Sequence, residues 1–372
     1  MEGLAMNQQF WLGKRVLLTG HTGFKGGWLA LWLQKLGAVV AGYALPAAQA
    51  ESLFELAGVG ERMESVFADI RSPQDLQNLF DRFRPEIVFH LAAQPLVRFS
   101  YQEPLETYQV NVIGTVHLLE AVRKCQHCRV VVNVTSDKCY ENKEWVWGYR
   151  ESDPMGGYDP YSSSKACAEL VSAAYRNSFF EGPGARSVAI ATARAGNVIG
   201  GGDFAKDRLV PDIMTSILRG RPLNIRSPAA IRPWQHVLEP LSGYLLLAEK
   251  LWDNPRAYAQ SWNFGPAPND TRSVLWLVKR MNEYSDRKVS WKIDGEPTLH
   301  EANVLTLDSA KARMRLGWKP RWTLNQALSA VVNWYKAYER AEPLREVTLR
   351  QIASYEAIVA QSAVQFEADV VT

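Results

Sequence analysis

The 372-residue sequence predicts an α/β protein. A doubly wound parallel sheet spans about residues 1–190, and a smaller mixed region follows over 191–372. Three observations carry that prediction. Short runs of consecutive apolar residues, such as those at 14–19, 87–93 and 129–134, suit strands buried on both faces. Helical stretches separate them, as parallel connections require. A glycine-rich turn sits between the first such run and the first helical stretch, at 19–27.

Taken in order, Phe10 and Trp11 are read as a packing anchor for the N-terminus. The first strand, 14–19, ends in Thr19-Gly20-His21-Thr22-Gly23-Phe24-Lys25-Gly26-Gly27, and a helix follows over 28–36. Strand, turn and helix in that order are the context that a Rossmann-type dinucleotide fingerprint needs. The first glycine makes the turn, the second lets backbone approach a pyrophosphate, and the third lets the helix close on the strand. The helix N-terminus faces the anion. The spacing is Gly-x-x-Gly-x-x-Gly, and a structural tight turn is the competing reading. The second strand, 38–43, is followed by Tyr43-Ala44-Leu45-Pro46, and the first carboxylate after it is Glu51. No acid stands where one would hold a ribose hydroxyl, so this region leaves NAD and NADP both open. The segment 65–70 brings Asp69 and Ile70 to the same crevice. There Asp69 either reaches an adenine edge or caps a solvated turn.

The strand at 87–93 delivers the small crevice residues Leu91, Ala92 and Ala93. The loop after it carries Gln94 and Arg98, and a long helix occupies about 106–124. Cys125-Gln126-His127-Cys128 has no second pair to complete four zinc ligands, and no metal site is expected. The strand at 129–134 presents Ser136, Asp137 and Lys138, a hydroxyl, a carboxylate and an amine, at its carboxyl end. Pro160 then opens a helix that places Tyr161 and Lys165 on one face, four residues apart. A phenol of ordinary pKa near 10 must lose roughly three units to act as a base at neutral pH, and a nearby cation favours that. A further strand over 188–192 leads to Arg194-Ala195-Gly196-Asn197. Beyond it, arginines and aromatic residues recur: Arg208, Arg219, Arg226, Arg232, Trp234 and His236. Guanidinium forks suit a diphosphate and an indole can stack on a base; solvated arginines and packed tryptophans are the alternative.

Composition narrows the class. The chain is 47% hydrophobic and 22% charged, and 42 basic against 39 acidic residues give +3, too balanced for a dedicated nucleic-acid binder. No apolar run approaches the roughly 20 residues of a membrane span. Residues 1–13 lack the basic and apolar regions of a signal peptide. Four cysteines do not make a disulfide framework, so a cytoplasmic setting is expected.

The ordered set of glycine loop, Ser136-Asp137-Lys138, Tyr161-x-x-x-Lys165 and Arg194-x-x-Asn197 resembles the extended short-chain dehydrogenase/reductase family of NAD-dependent epimerases and dehydratases. Within it, the phrases at 20–26, 92–98, 135–140 and 232–237 resemble the sugar-nucleotide 4,6-dehydratases, with CDP-glucose as the implied substrate. The resemblance implies an NAD cofactor held by Thr19, Gly20, Thr22, Gly23, Phe24, Lys25, Gly26, Asp69, Ile70, Leu91, Ala92, Ala93, Tyr161 and Lys165. It implies substrate contacts from Gln94, Arg98, Asn197, Arg208, Arg219, Arg232, Trp234 and His236. Tyr161, with Lys165 and Ser136, would deprotonate the sugar 4-hydroxyl as hydride leaves C4. Asp137 would protonate the departing C6 hydroxyl. Lys138 stands where relatives carry the glutamate that takes the C5 proton. The hydride returns to C6, giving a 4-keto-6-deoxy sugar of the kind used in lipopolysaccharide. The family also implies a homodimer through the helices near 106–124 and 161–180, although those apolar faces could be intramolecular core. Two rival readings stay open: a 4-epimerase or reductase, which has no use for Asp137-Lys138, and a non-catalytic nucleotide sensor, which has no use for Ser136, Tyr161 and Lys165 together.

Overall fold

In a computed structural model, residues 7–181, 187–293 and 304–370 are described, with side chains to residue 358. Seven strands form the central sheet: β1 (Arg15–Thr19), β2 (Val39–Ala44), β3 (Glu64–Phe67), β4 (Ile87–His90), β5 (Val130–Val134), β6 (Ala189–Arg194) and β7 (Ser261–Asn263). Their order is β7-β6-β5-β4-β1-β2-β3, and every pairing is parallel. The direction of winding reverses between β1 and β4, which opens a crevice at the carboxyl ends of those two strands.

Both sheet faces are covered, which is why the strands read as unbroken apolar runs. Val16, Leu18, Ile87, Phe89, Val130 and Val132 point to one core, shared with Trp28 and Trp32 of the Phe24–Lys35 helix and with the Leu238–Asp253 helix. Leu17, Val88, Val131 and Ile190 point to the other, against the helices Pro73–Phe83 and Gly114–Lys124. Alternate residues therefore serve opposite layers. Trp11 is fully buried and its indole donates to Glu249 Oε1 at 2.7 Å, so the N-terminal anchor forms as read from the sequence.

The long helix expected near 106–124 forms in three continuous pieces, Pro104–Tyr108, a wider π turn at Gln109–Ile113, and Gly114–Lys124. Asn111, in the wide turn, uses its amide to bridge the Gln94 backbone and Ser164 Oγ, tying the loop after β4 to the Pro160–Tyr175 helix. Beyond β6 lie small two-stranded pairings. Val198–Ile199 pairs with Gln235–His236, Ile231–Pro233 with Thr271–Ser273, and Leu223–Ile225 with Trp291–Ile293. This region leans over the crevice, and β7 then returns to the sheet edge beside β6.

Candidate active site

The crevice opens into a cavity of about 1250 Å³ whose walls come from both regions. That volume exceeds the ~300–1,000 Å³ of a single-ligand pocket and leaves room for two ligands side by side.

Its floor is the glycine loop. Gly20 has φ +77°, and a β-carbon there would lie 2.7 Å from the Ala92 nitrogen. A β-carbon on Gly26 would collide with the Gly20 carbonyl. The two glycines thus let β1, β4 and the Phe24–Lys35 helix converge, with the helix N-terminus aimed into the cavity. This cradle suits a dinucleotide pyrophosphate. Thr22, Gly23, Phe24, Lys25, Asp69, Ile70, Leu91, Ala92 and Ala93 also line the cavity. Burial, with Arg208 and Lys165 nearby, pulls the Lys25 ammonium down to about 8. The Asp69 carboxylate is taken by Arg71 in a two-pronged contact, and it is held below its usual range by that bond.

One end of the cavity holds the candidate catalytic groups. Asp159 caps the helix by accepting from Ser162 N at 2.9 Å, and Pro160 fills its first position, so Tyr161 and Lys165 stack one turn apart. Both are buried and both reach the wall. Ser136, Asp137 and Lys138 arrive from the end of β5. Ser136 Oγ donates to Asp137 Oδ1 at 3.1 Å and accepts from Lys138 N at 3.2 Å. Burial raises the Tyr161 phenol to about 12, and a hydrogen bond with Ser136 works against that rise. Burial lowers Lys165 to about 8, partly offset by Glu169, while its Nζ sits 3.5 Å from the Val134 carbonyl. Asp137 Oδ2 is buried against Gly196 and has no hydrogen-bond partner among the described residues.

Behind these groups lies a buried ion pair, Arg194 with Glu169, at 2.8 Å. Glu169 also accepts from Thr135, Thr192 and Ser261, and Arg194 donates to Tyr140 Oη. The network joins the Tyr161 helix to β5, β6 and β7.

Four residues assigned to ligands in the sequence analysis lie elsewhere. Thr19 is buried beneath the floor, where its hydroxyl accepts from Leu91 N and Ala92 N and bonds His90. Gln94 is not in the wall. Its amide donates to Thr107 and accepts from Leu96 N, shaping the loop that presents Arg98. Arg219 ends the Leu209–Arg219 helix exposed and paired with Glu51 at 3.2 Å, and it does not itself line the cavity. His236 is fully buried between Trp28 and Trp322, with centroids 5.6 and 4.7 Å away, and burial holds it down to about 3. Each lies close to the cavity in sequence, but its side chain is taken up by protein partners and does not reach the cavity wall. Arg98, Asn197, Arg208, Arg232 and Trp234 do line the cavity, although the Trp234 indole N–H is committed to the Arg272 carbonyl. The wall also holds Asp203, Asp207, Asp212 and Arg226, of which only Arg226 carried any signal, as one of the recurring arginines.

A dinucleotide cradle at the sheet's switch point, with a second ligand space and a Ser/Tyr/Lys cluster beside it, defines a nucleotide-dependent α/β enzyme scaffold of the short-chain dehydrogenase/reductase kind. Residues 17–331 match the family described as GDP-mannose 4,6 dehydratase, and the chain belongs to that family. It is 54% identical over 352 residues to CDP-glucose 4,6-dehydratase of Salmonella typhimurium, covering 94% of this chain and 98% of that protein. It is 27% identical to UDP-glucose 4-epimerase 3 of Oryza sativa subsp. japonica, over 87% and 90% of the two chains. Among solved structures, dTDP-glucose 4,6-dehydratase from Bacillus anthracis in complex with NAD superposes with a TM-score of 0.72. That match has 21% identity and covers 89% of this chain and all of that one.

Proposed function

We propose that this chain is an NAD-dependent hydro-lyase that converts CDP-D-glucose to CDP-4-keto-6-deoxy-D-glucose and water. The observation that carries the reading is the pairing of Asp137 and Lys138 with Tyr161 and Lys165 at one end of one cavity. An epimerase or a sensor needs only part of that set. The identity to the Salmonella typhimurium protein, sustained over nearly its whole length, favours the same substrate.

The cradle of Gly20, Gly23 and Gly26 would hold NAD, which would supply a hydride acceptor for C4 of the sugar and the hydride returned at C6. Tyr161 takes the 4-hydroxyl proton. Burial holds its phenol up near 12 even with the Ser136 hydrogen bond opposing the rise, so bringing it toward neutrality takes added positive charge beside it, of the kind a bound nicotinamide ring would supply. The 4-ketone acidifies C5–H. Lys138, as the neutral amine, accepts that proton as Asp137, as the carboxylic acid, protonates the C6 hydroxyl, which leaves as water. Lys138 returns a proton to C5 when hydride reaches C6. The Asp137 carboxyl, in the cavity wall just beyond β5, is the group suited to protonating that hydroxyl.

Exposed Leu105, Ile113, Leu170 and Phe179 on the helices at 104–124 and 160–180 support a homodimer through those helices. Four free cysteines, and no helix among the described residues long and apolar enough to cross a membrane, accord with a cytoplasmic enzyme of deoxysugar synthesis.

The test is to incubate the purified protein with NAD and CDP-glucose and follow the alkali-induced ultraviolet absorbance of a 4-keto-6-deoxy product. UDP-, dTDP- and GDP-glucose run in parallel, with Tyr161→Phe as the control. Product from CDP-glucose, lost in the variant, supports the reading. No keto product from any donor overturns it, and a 4-epimer in its place would establish the epimerase.

A further inference from the structure

Within the cavity, two arginines from opposite walls converge on one carboxylate. Arg98 lies on the Val97–Gln102 helix after β4, and Arg226 directly follows the Leu223–Ile225 strand of the overlying region. Asp207 Oδ1 accepts from Arg226 Nη1 at 3.0 Å and lies 3.8 Å from Arg98 Nη1. All three residues line the cavity.

The neighbouring pair behaves differently. Asp203 holds Arg208 at 3.0 Å and also accepts from Ala205 N; its side chain is 7% exposed. It is locked into the wall. The Asp207 side chain is 48% exposed and sits on a backbone with φ +62°, a conformation that residues other than glycine, asparagine and aspartate seldom adopt. Arg98 is incompletely satisfied by it: the contact is longer than a hydrogen bond, and its Nε is buried with no partner among the described residues. A guanidinium held by one long contact, facing a half-exposed carboxylate, fits a better anion than the one present.

We propose that Asp207 is the resident anion of the substrate diphosphate subsite, which holds Arg98 and Arg226 together across the cleft until a nucleoside diphosphate displaces it. The inference rests on the proposed function, because it needs a diphosphate ligand in this half of the cavity. Asp207 is a positioning residue, acting through the two arginines. It sets affinity by competition, since the diphosphate binds only the fraction of molecules in which the carboxylate has let go. It also disfavours ligands too weakly charged to compete.

The experiment compares CDP binding to the wild-type protein and Asp207→Asn by calorimetry. Asparagine tolerates the left-handed backbone and removes the charge. The expected result is CDP binding tighter by about fivefold or more, the factor by which the closed arrangement outweighs the open one. NAD binding and melting temperature should stay as in the wild type. Asp207→Gly, unstrained at that φ, must show the same gain, which guards against an effect peculiar to asparagine. A purely structural role predicts looser binding, so unchanged or weaker CDP affinity in both variants overturns the inference. If wild-type protein binds no CDP, the functional reading fails first, independently of the variants, and this inference falls with it.

Discussion

Gly196 leaves the space that the Asp137 carboxylate fills. A β-carbon at 196 would overlap Oδ2 and crowd the carboxyl carbon of Asp137. Gly196 lies just beyond β6 and Asp137 just beyond β5, so adjacent strand ends determine where the acid of the site can stand. The absence of a side chain at 196 is thus a condition for where the Asp137 carboxylate sits.

Gly196→Ala should therefore displace Asp137 while leaving the glycine cradle intact. A shift near 1 Å in a reacting group costs on the order of a hundredfold in turnover. The expected outcome is keto-product formation down by about that factor, with NAD affinity close to wild type. Full turnover in the variant would show that the carboxylate's position does not matter.

The Glu169–Arg194 pair supports the Tyr161 helix from below, with both side chains almost fully buried. Removing one partner strands the other charge away from water. Glu169→Ala should lower unfolding free energy by about 3–5 kcal/mol, measured by denaturant titration. Replacing both residues with apolar ones of similar volume should recover part of that loss. A single variant as stable as wild type would mean that the pair is dispensable.

Glu239 predicts a pH dependence of stability. Burial raises its carboxyl to about 7 even though Tyr355, Trp322 N and Arg321 N donate to it. Between about pH 4.5 and 7 the folded state keeps a proton that the unfolded chain has released. This contribution to stability is fully present below pH 4.5 and lost as pH rises toward 7. Glu239→Gln should gain on the wild type across that window by about 2–3 kcal/mol, read from unfolding curves at pH 4.5 and 7.5. A constant difference between the two proteins at both pH values would rule the burial cost out.

Much of the site was legible before any coordinates. Gly20, Gly23 and Gly26, the strand end at Ser136–Lys138, and Tyr161 with Lys165 are each fixed by local rules. A turn needs a positive φ, a parallel strand presents its carboxyl end, and a helix returns to the same face after four residues. The sheet was legible for the same reason, because strands buried on both faces must be apolar throughout.

The sequence by itself determined the class of fold, the cradle and the Tyr–Lys geometry, since these depend on neighbours a few positions apart. Tertiary structure alone decided which arginines face the cavity. It sent Arg219 and His236 outward or into the core and turned Arg226 and Arg98 inward toward Asp207. It also gave Gly196 its role beside Asp137 and Glu169 its charge partner. The physical reason is that facing direction and charge pairing between distant segments depend on how layers pack, and no periodicity within one segment records that.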